Sequence, residues 1–248
     1  MSFEAIFNPI FGPLLSLEPI YFVLIMSFLL SVLITVVYKF MTNQTLMKEL
    51  KDKLKDYQKQ MKEHRSDTKK LLELQKSAMD VNMQYMLQSF KPTLVTFIPV
   101  ILIFGWLSQV IAFQPIIPGQ TFTTTLVFTD GVSGNVSVRV PQGVEIIDAS
   151  VKTITPITNF SFRAKEGDYL LVFSAAQESF EKEVIITTNQ KYAPLTTTFR
   201  NKPVKSISIG NEKLVVLNLF GWKLGWLGTY ILSSIIFSLS LRKLLKLH

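Results

Sequence analysis

Three stretches of the chain run without a charged residue for long enough to cross a hydrocarbon layer about 30 Å thick. They are residues 20–38 (IYFVLIMSFLLSVLITVVY), 92–113 and 224–241, and each predicts a transmembrane helix, the third near the lower length limit. Pro99 in the second span removes the backbone bond to Val95 and predicts a kink. From residue 20 to residue 91 there is neither Gly nor Pro, the two strongest helix interrupters, so helix is expected to run almost without a break. Beyond the first span, Leu46, Leu50, Leu54, Tyr57 and Met61 recur at coiled-coil spacing, and Leu71, Leu74, Ala78, Met79, Met83 and Met86 form a second apolar series. Spans one and two must meet the same membrane face, so the segment between them has to return. The polar run Glu63-His64-Arg65-Ser66-Asp67 predicts the turn of an antiparallel two-helix hairpin.

After residue 113 the apolar period changes from helical to two. Alternation over Thr121–Phe128, residues 136–140, 169–173, 183–188 and 206–209 predicts short strands. Turn signals at Asp130-Gly131, Ser133-Gly134, Gln142-Gly143, Glu166-Gly167 and Asn201-Lys202-Pro203 separate them, which suggests a small antiparallel sandwich or barrel. The fold class expected is an integral membrane α-helical protein: three transmembrane helices, a cytosolic antiparallel helical hairpin and an external all-β insert. Its segments are 1–19 (external, with Pro9, Gly12 and Pro13 permitting at most a short interfacial piece), 20–41 (transmembrane helix 1), 42–91 (hairpin) and 92–113 (transmembrane helix 2). There follow 114–213 (β-domain), 214–241 (membrane-proximal segment and transmembrane helix 3) and 242–248 (cytosolic tail).

Charge sets the orientation. The 248 residues carry 26 Lys+Arg against 18 Asp+Glu, a formal charge of +8, on a chain that is 48% apolar with a mean hydropathy of +0.31. Basic residues are absent before Lys39, dense in residues 42–91, and present again as Arg242, Lys243 and Lys246. By the excess of Lys and Arg in short cytosolic loops, the N-terminus is outside and the hairpin and C-terminus are in the cytosol of a multi-pass plasma-membrane protein. The first span reads as an uncleaved, reversed signal-anchor, because no basic region precedes it. In the hairpin, acid–base alternation such as Lys48-Glu49 and Lys51-Asp52 suits a solvated, lipid-attracted face rather than nucleic-acid readout. Without cysteine, disulfides and thiolate metal sites are excluded, and with only His64 and His248 neither a zinc site nor a histidine relay is expected. The insert pairs no nucleophile with a base, so neither an enzyme nor a cofactor is expected.

Three sets of residues stand out. Ser27, Ser31, Thr35 and Tyr38 share one arc of about 80° on the first span. They either line a shallow hydroxyl groove or bond to their own helix and glue neighbours together. Six of the eight methionines fall in or beside the hairpin. Met47 and Met61 fit its seam, whereas Met79, Met83 and Met86 suit equally a capture surface for apolar segments and a wetted bilayer boundary. Asn135-Val136-Ser137 and Asn159-Phe160-Ser161 are possible external glycosylation sites, and Asn43-Gln44-Thr45 lies on the cytosolic side.

The order of span, basic helical hairpin, Pro-containing span, external insert and short-tailed span, with Tyr38-Lys39-Phe40 leading into a Met-rich hairpin, resembles the archaeal YidC-like proteins of the Oxa/YidC insertase superfamily. Their eukaryotic relatives include an insertase subunit of the ER membrane protein complex. The resemblance implies a protein that inserts new membrane proteins through a hydrophilic groove open to the cytosol and bilayer. Ser27, Ser31, Thr35, Thr96 and Ser233 would face that groove, and Met79, Met83 and Met86 would capture substrate. Family members often carry a positive residue there; with no Arg inside a span, Lys39 and Lys91 at the cytosolic mouth are the candidates. The implied partners are nascent membrane proteins, the bilayer, the ribosome through the hairpin and a partner subunit. The competing expectation is a cell-surface β-domain protein, anchored by the spans and acting as receptor or assembly subunit.

Overall fold

The computed structural model describes residues 3–245 and 247, so Lys246 and His248 of the expected tail lie outside the described residues. The helices are α1 (Phe3–Phe11), α2 (Pro19–Met41), α3 (Gln44–Glu63), α4 (Thr68–Val110) and α5 (Trp226–Leu244). The strands are β1 (Thr121–Phe128), β2 (Asn135–Arg139), β3 (Val144–Ile146), β4 (Val151–Thr153), β5 (Ile157–Ala164), β6 (Gly167–Ala175), β7 (Glu178–Ile186), β8 (Thr196–Thr198), β9 (Val204–Ile209), β10 (Leu217–Leu219) and β11 (Trp222–Leu224). The chain divides into two compact units, residues 20–105 with 227–248, and residues 1–19 with 106–226.

In the helical unit, expectation and structure part at three places. Helix does not run unbroken from residue 20 to residue 91. It stops at Met41 and restarts at Gln44, because the Asn43 side chain accepts a hydrogen bond from Leu46 N at 3.1 Å and caps a new helix. The absence of Gly and Pro could not reveal a break made by a side chain. On α3 the deepest position also lies one residue later than the sequence pattern suggests, Met47 being buried and Leu46 half-buried. Leu50 is buried and Leu54, Tyr57 and Met61 are half-buried, and on α4 the buried Leu74 stands in a row with half-buried Leu71, Ala78, Val81, Tyr85 and Gln88. That row alternates steps of three and four residues, as a coiled-coil seam requires, and it leaves Met79, Met83 and Met86 outside. Finally, α4 runs through both Pro92 and Pro99 but ends at Val110, short of Phe113. The turn itself is closed by His64 N donating to Gln60 O at 3.0 Å and by Asp67 capping α4 through Lys70 N at 3.1 Å.

Two helices, α2 and α4, are long and apolar enough to cross a membrane. Helix α5 falls short of that standard. It begins at Trp226 because residues 222–224 are spent in β11, and Arg242 and Lys243 occupy its last turn. It packs on both candidate spans, with Phe237 edge-on to Phe28 of α2 at 5.5 Å and Tyr230 edge-on to Phe104 of α4 at 4.9 Å.

In the second unit, the β-region is a two-sheet sandwich. A five-stranded sheet ordered β3-β5-β1-β9-β8 and a four-stranded sheet ordered β4-β2-β6-β7 enclose one apolar core, and every pairing within them is antiparallel. Strand β1 shows why: its burial alternates, with Phe122, Thr124, Leu126 and Phe128 inward and Thr121, Thr123, Thr125 and Val127 between them less buried. Aromatic residues fill the space between the sheets, with Phe160 and Phe173 at 5.7 Å and Phe122 and Phe162 at 5.6 Å. At the expected turn at Gly143, φ is +99°, a left-handed conformation that favours glycine, and any Cβ there would displace the Tyr169 ring.

The same unit contains the end of α4. The last carbonyls of a helix have no partner within it. Here Gln190 Nε2 donates to Val110 O at 3.1 Å and to Phe113 O at 2.8 Å, while the Tyr192 hydroxyl donates to Ser108 O at 3.3 Å and accepts from Ala112 N at 2.9 Å. A short ladder continues outward, Leu214 N to Ala112 O at 3.1 Å and Gln114 N to Glu212 O at 2.8 Å. Helix α1, which Pro9 does not prevent, seats Phe7 and Phe11 at 5.8 and 5.7 Å from Trp106, and Asn8 Oδ1 accepts from Trp106 Nε1 at 2.8 Å.

One inward position of β7 is charged. Lys182 stands between Phe180 and Val184 in the buried register and is only 1% exposed, its Nζ donating to Pro194 O and, at 3.1 Å, to Thr197 Oγ1. Desolvation lowers its pKa from 10.5 to about 8, against the opposing pull of the Glu183 carboxylate. Below pH 8 both folded and unfolded chains hold this proton. Between about 8 and 10.5 only the unfolded chain does, so the sandwich gains stability as pH rises through that window. Melting followed between pH 7 and 10.5 should show this rise, and Lys182→Met should flatten it.

Candidate functional site

The hydroxyl arc of the first span lies on the buried side of α2. Ser27, Ser31 and Thr35 are almost wholly buried, as are Thr96 of α4 and Thr229 and Ser233 of α5. Most of these hydroxyls are already occupied by their own helices. Ser27 donates to Val23 O at 2.7 Å, Thr35 to Ser31 O at 2.6 Å and Thr96 to Pro92 O at 3.1 Å. Ser233 donates to Thr229 O at 2.7 Å and lies 2.9 Å from Ser27 Oγ, so these two serines join α5 to α2 at a close approach that only small residues permit. Ser27, Thr35 and Ser233 thus serve packing.

Two open, adjoining clefts of about 320 and 370 Å³ lie beside them and share Ile34 and Arg242. The first, mainly polar, is lined also by Tyr38, Tyr85, Ser89, Pro92, Thr93 and Thr96, and the second, mainly apolar, by Ser31, Tyr230, Ser234, Ser238, Ile235 and Leu239. Tyr85, Ser89, Thr93 and Thr96 follow one another at steps of four, four and three along α4 and therefore share one face. Ser89 bonds to Tyr38 through its side chain and donates to Tyr85 O at 3.0 Å. The Arg242 guanidinium lies 4.9 Å from the centre of the Tyr38 ring, a cation–π contact between α5 and α2. The arrangement offers water, hydroxyl groups and one delocalised cation to a polar or anionic group entering between three helices. Among the described residues that line it there is no nucleophile–base pair.

Of the groove residues expected from the sequence, then, Ser31 and Thr96 line the clefts, while Ser27, Thr35 and Ser233 lie behind them. The cation that lines the clefts is Arg242, while Lys39 and Lys91 line neither. Lys39 is exposed away from both clefts, and Lys91 borders a separate apolar one with Leu46, Leu50, Leu87, Phe90 and Leu94. Arg242 counted in the sequence as part of a basic tail, since composition cannot tell that its helix continues to Leu244. Tyr85 and Ser89 were likewise hidden in the hairpin, although their spacing with Thr93 and Thr96 was the available signal. Met79, Met83 and Met86 are exposed and, with Leu72, Phe90, Leu94 and Phe97, form one stripe along α4. The sequon residues Asn135 and Asn159 are exposed on β2 and β5, Asn159 opposite Thr125.

Set beside known families, residues 8–136, just over half of the chain, match the sequence model of the integral membrane proteins described as EMC3/TMCO1-like. The match runs from within α1 into β2, and α5 lies beyond it. No curated protein and no solved structure matches the chain.

The serine contact carries its own prediction. Ser233→Ala should cost about 0.6 kcal/mol, the mean for polar contacts between membrane helices. Ser233→Leu should cost about 1–3 kcal/mol by overpacking the approach of α5 to α2. Ser234→Leu, one residue on but facing the cleft, should leave resistance to proteolysis in detergent unchanged.

Proposed function

We propose, from the premise that the chain belongs to the EMC3/TMCO1-like family of the insertase-related Oxa1/YidC/Alb3 superfamily, that it is an insertase which receives newly made apolar segments and eases their polar flanks into the bilayer. The family is one related to membrane protein insertion. The observation that carries the reading further is the polar cleft at Arg242, built where helices of mostly apolar surface converge. Unpaired polar groups cost several kcal/mol each in hydrocarbon, so a cleft that keeps them hydrated lowers the barrier without any covalent step.

In this reading α5 is the third span. From Trp226 to Leu241 it is free of charge and about 24 Å long, shorter than the hydrocarbon layer, which favours a locally thinned bilayer. The basic hairpin and the C-terminus face the cytosol, and the β-sandwich lies outside. The Met79-Met83-Met86 stripe, leading from the hairpin into the apolar half of α4, receives a segment leaving the ribosome. Ser31, Thr93, Thr96, Ser234 and Ser238 then hydrate its flank, and Arg242 attracts an acidic one. Within the superfamily we place the chain beside the archaeal YidC-like proteins on its order of elements, acting at the plasma membrane.

Photo-crosslinkers at Thr93 and Ser238 should capture a ribosome-stalled membrane protein, and those at the outward-facing Phe97 and Ile236 should capture lipid. The reverse pattern would overturn the cleft as the path. Arg242→Gln should lower insertion of clients with acidic flanks severalfold in reconstituted liposomes and spare clients with neutral flanks, while Arg242→Lys should retain most activity.

A further inference from the structure

The β10–β11 hairpin is not accounted for by any of this. Its two central residues, Phe220 and Gly221, have φ of 50° and 95°, the pair of left-handed conformations that defines a type I′ turn. Such turns favour Asn-Gly or Asp-Gly, and a bulky residue at positive φ is uncommon. Asn218 Oδ1 steadies the turn by accepting from Gly221 N at 3.1 Å. Turn chemistry gives no reason for an aromatic ring, yet Phe220 is 106% exposed and the neighbouring Trp222 76%.

The position of the hairpin supplies a reason. Its base, Val216 N to Leu224 O at 2.8 Å, continues the ladder that ties Leu214 to Ala112, two residues past the end of α4. Its second strand leads through Gly225 into α5 at Trp226. The hairpin is thus held at the ends of two apolar helices, one of them a candidate span of a chain shown to belong to an integral membrane family. Helix α1, seated on Trp106 near the same end of α4, leaves Ile6 and Ile10 exposed. From Val216 to Phe220 the strand reaches roughly 13 Å, farther than the headgroup layer of one leaflet, about 5–8 Å deep.

We propose that the β10–β11 hairpin is a membrane-interface foot. Phe220 and Trp222 enter the boundary between headgroups and acyl chains of the leaflet on the sandwich's side, and the Lys223 amine lies among the lipid phosphates. Trp suits that boundary through its apolar ring and N–H donor, and Lys reaches outward on its apolar stem. The foot braces the sandwich against the bilayer through contacts that the helices do not make. It rests on membership of a membrane family and not on insertase activity, so the two readings fail separately.

The chain has no cysteine, so single labels can be placed at will. In vesicles of phosphatidylcholine mixed with phosphatidylglycerol, a nitroxide on Phe220→Cys should be relaxed by oxygen and shielded from a water-soluble nickel chelate, as on Phe97→Cys of α4. A label on Leu170→Cys, exposed on β6, should show the opposite. If the Phe220→Cys label follows Leu170→Cys, or is shielded from both reagents as at a protein contact, the proposal is overturned. Quenching by brominated lipid gives a second measurement. Trp222→Phe should remove a share of it, and Phe220→Asn, which restores the preferred Asn-Gly turn, should diminish that share with melting unchanged or higher. Equal quenching with and without Trp222 would likewise overturn the proposal.

Discussion

Hydrocarbon offers no hydrogen bonds, and that single constraint accounts for most of what the helical residues do. On the buried side of α2, α4 and α5, the Ser27, Thr35, Thr96 and Ser233 hydroxyls each turn back to a carbonyl of their own helix. At the end of α4, where the helix itself has no more donors to give, Gln190 and Tyr192 supply them. Helix α4 runs through two prolines, and near them the Thr93 and Thr96 hydroxyls donate to Ser89 O and Pro92 O.

The same rule separates packing residues from lining residues. A serine whose hydroxyl is satisfied behaves as a small apolar residue, which is why Ser27 and Ser233 can bring α2 and α5 together. The cleft next to them is polar for a different reason: Tyr38, Tyr85, Ser89, Thr93 and Arg242 come from three helices and face a common space. Arg242 needs a long stem and an aromatic face to sit there, and Tyr38 provides the face. In the hairpin the division is between Met47, enclosed by the seam, and Met79, Met83 and Met86, left on the outer stripe.

In its charges the sandwich obeys the rules of a water-soluble domain, with one exception. Inward Phe122, Leu126 and Phe128 in β1 and Phe contacts between the sheets are ordinary core building. Lys182 is the exception, a cation drawn into that core and held by a carbonyl and a hydroxyl, which ties β7 to the strand bearing Thr197. Around the junction with the helices, the short ladder of residues 112–114 with 212–214 orders a segment that has no strong pattern of its own.

The sequence by itself determined the broad plan: charge-free runs long enough to become α2 and α4, a two-helix hairpin turning near His64, and the change to period two that builds the sandwich. These depend on local spacing, which is written in order along the chain. It did not determine where helices stop. Asn43 breaks the first one by a side-chain cap, and a ladder ends α4 at Val110 and delays α5 to Trp226, through partners about 80 to 100 residues away. Nor could it choose which hydroxyls face a cleft. Ser233 and Ser234 are adjacent and chemically identical, and only the contact of one with Ser27 decides that the other is open. Arg242 shows the limit most plainly. Its charge was visible at once, but its place beside Tyr38 depends on how α5 lies against α2, a relation that no spacing within either helix encodes.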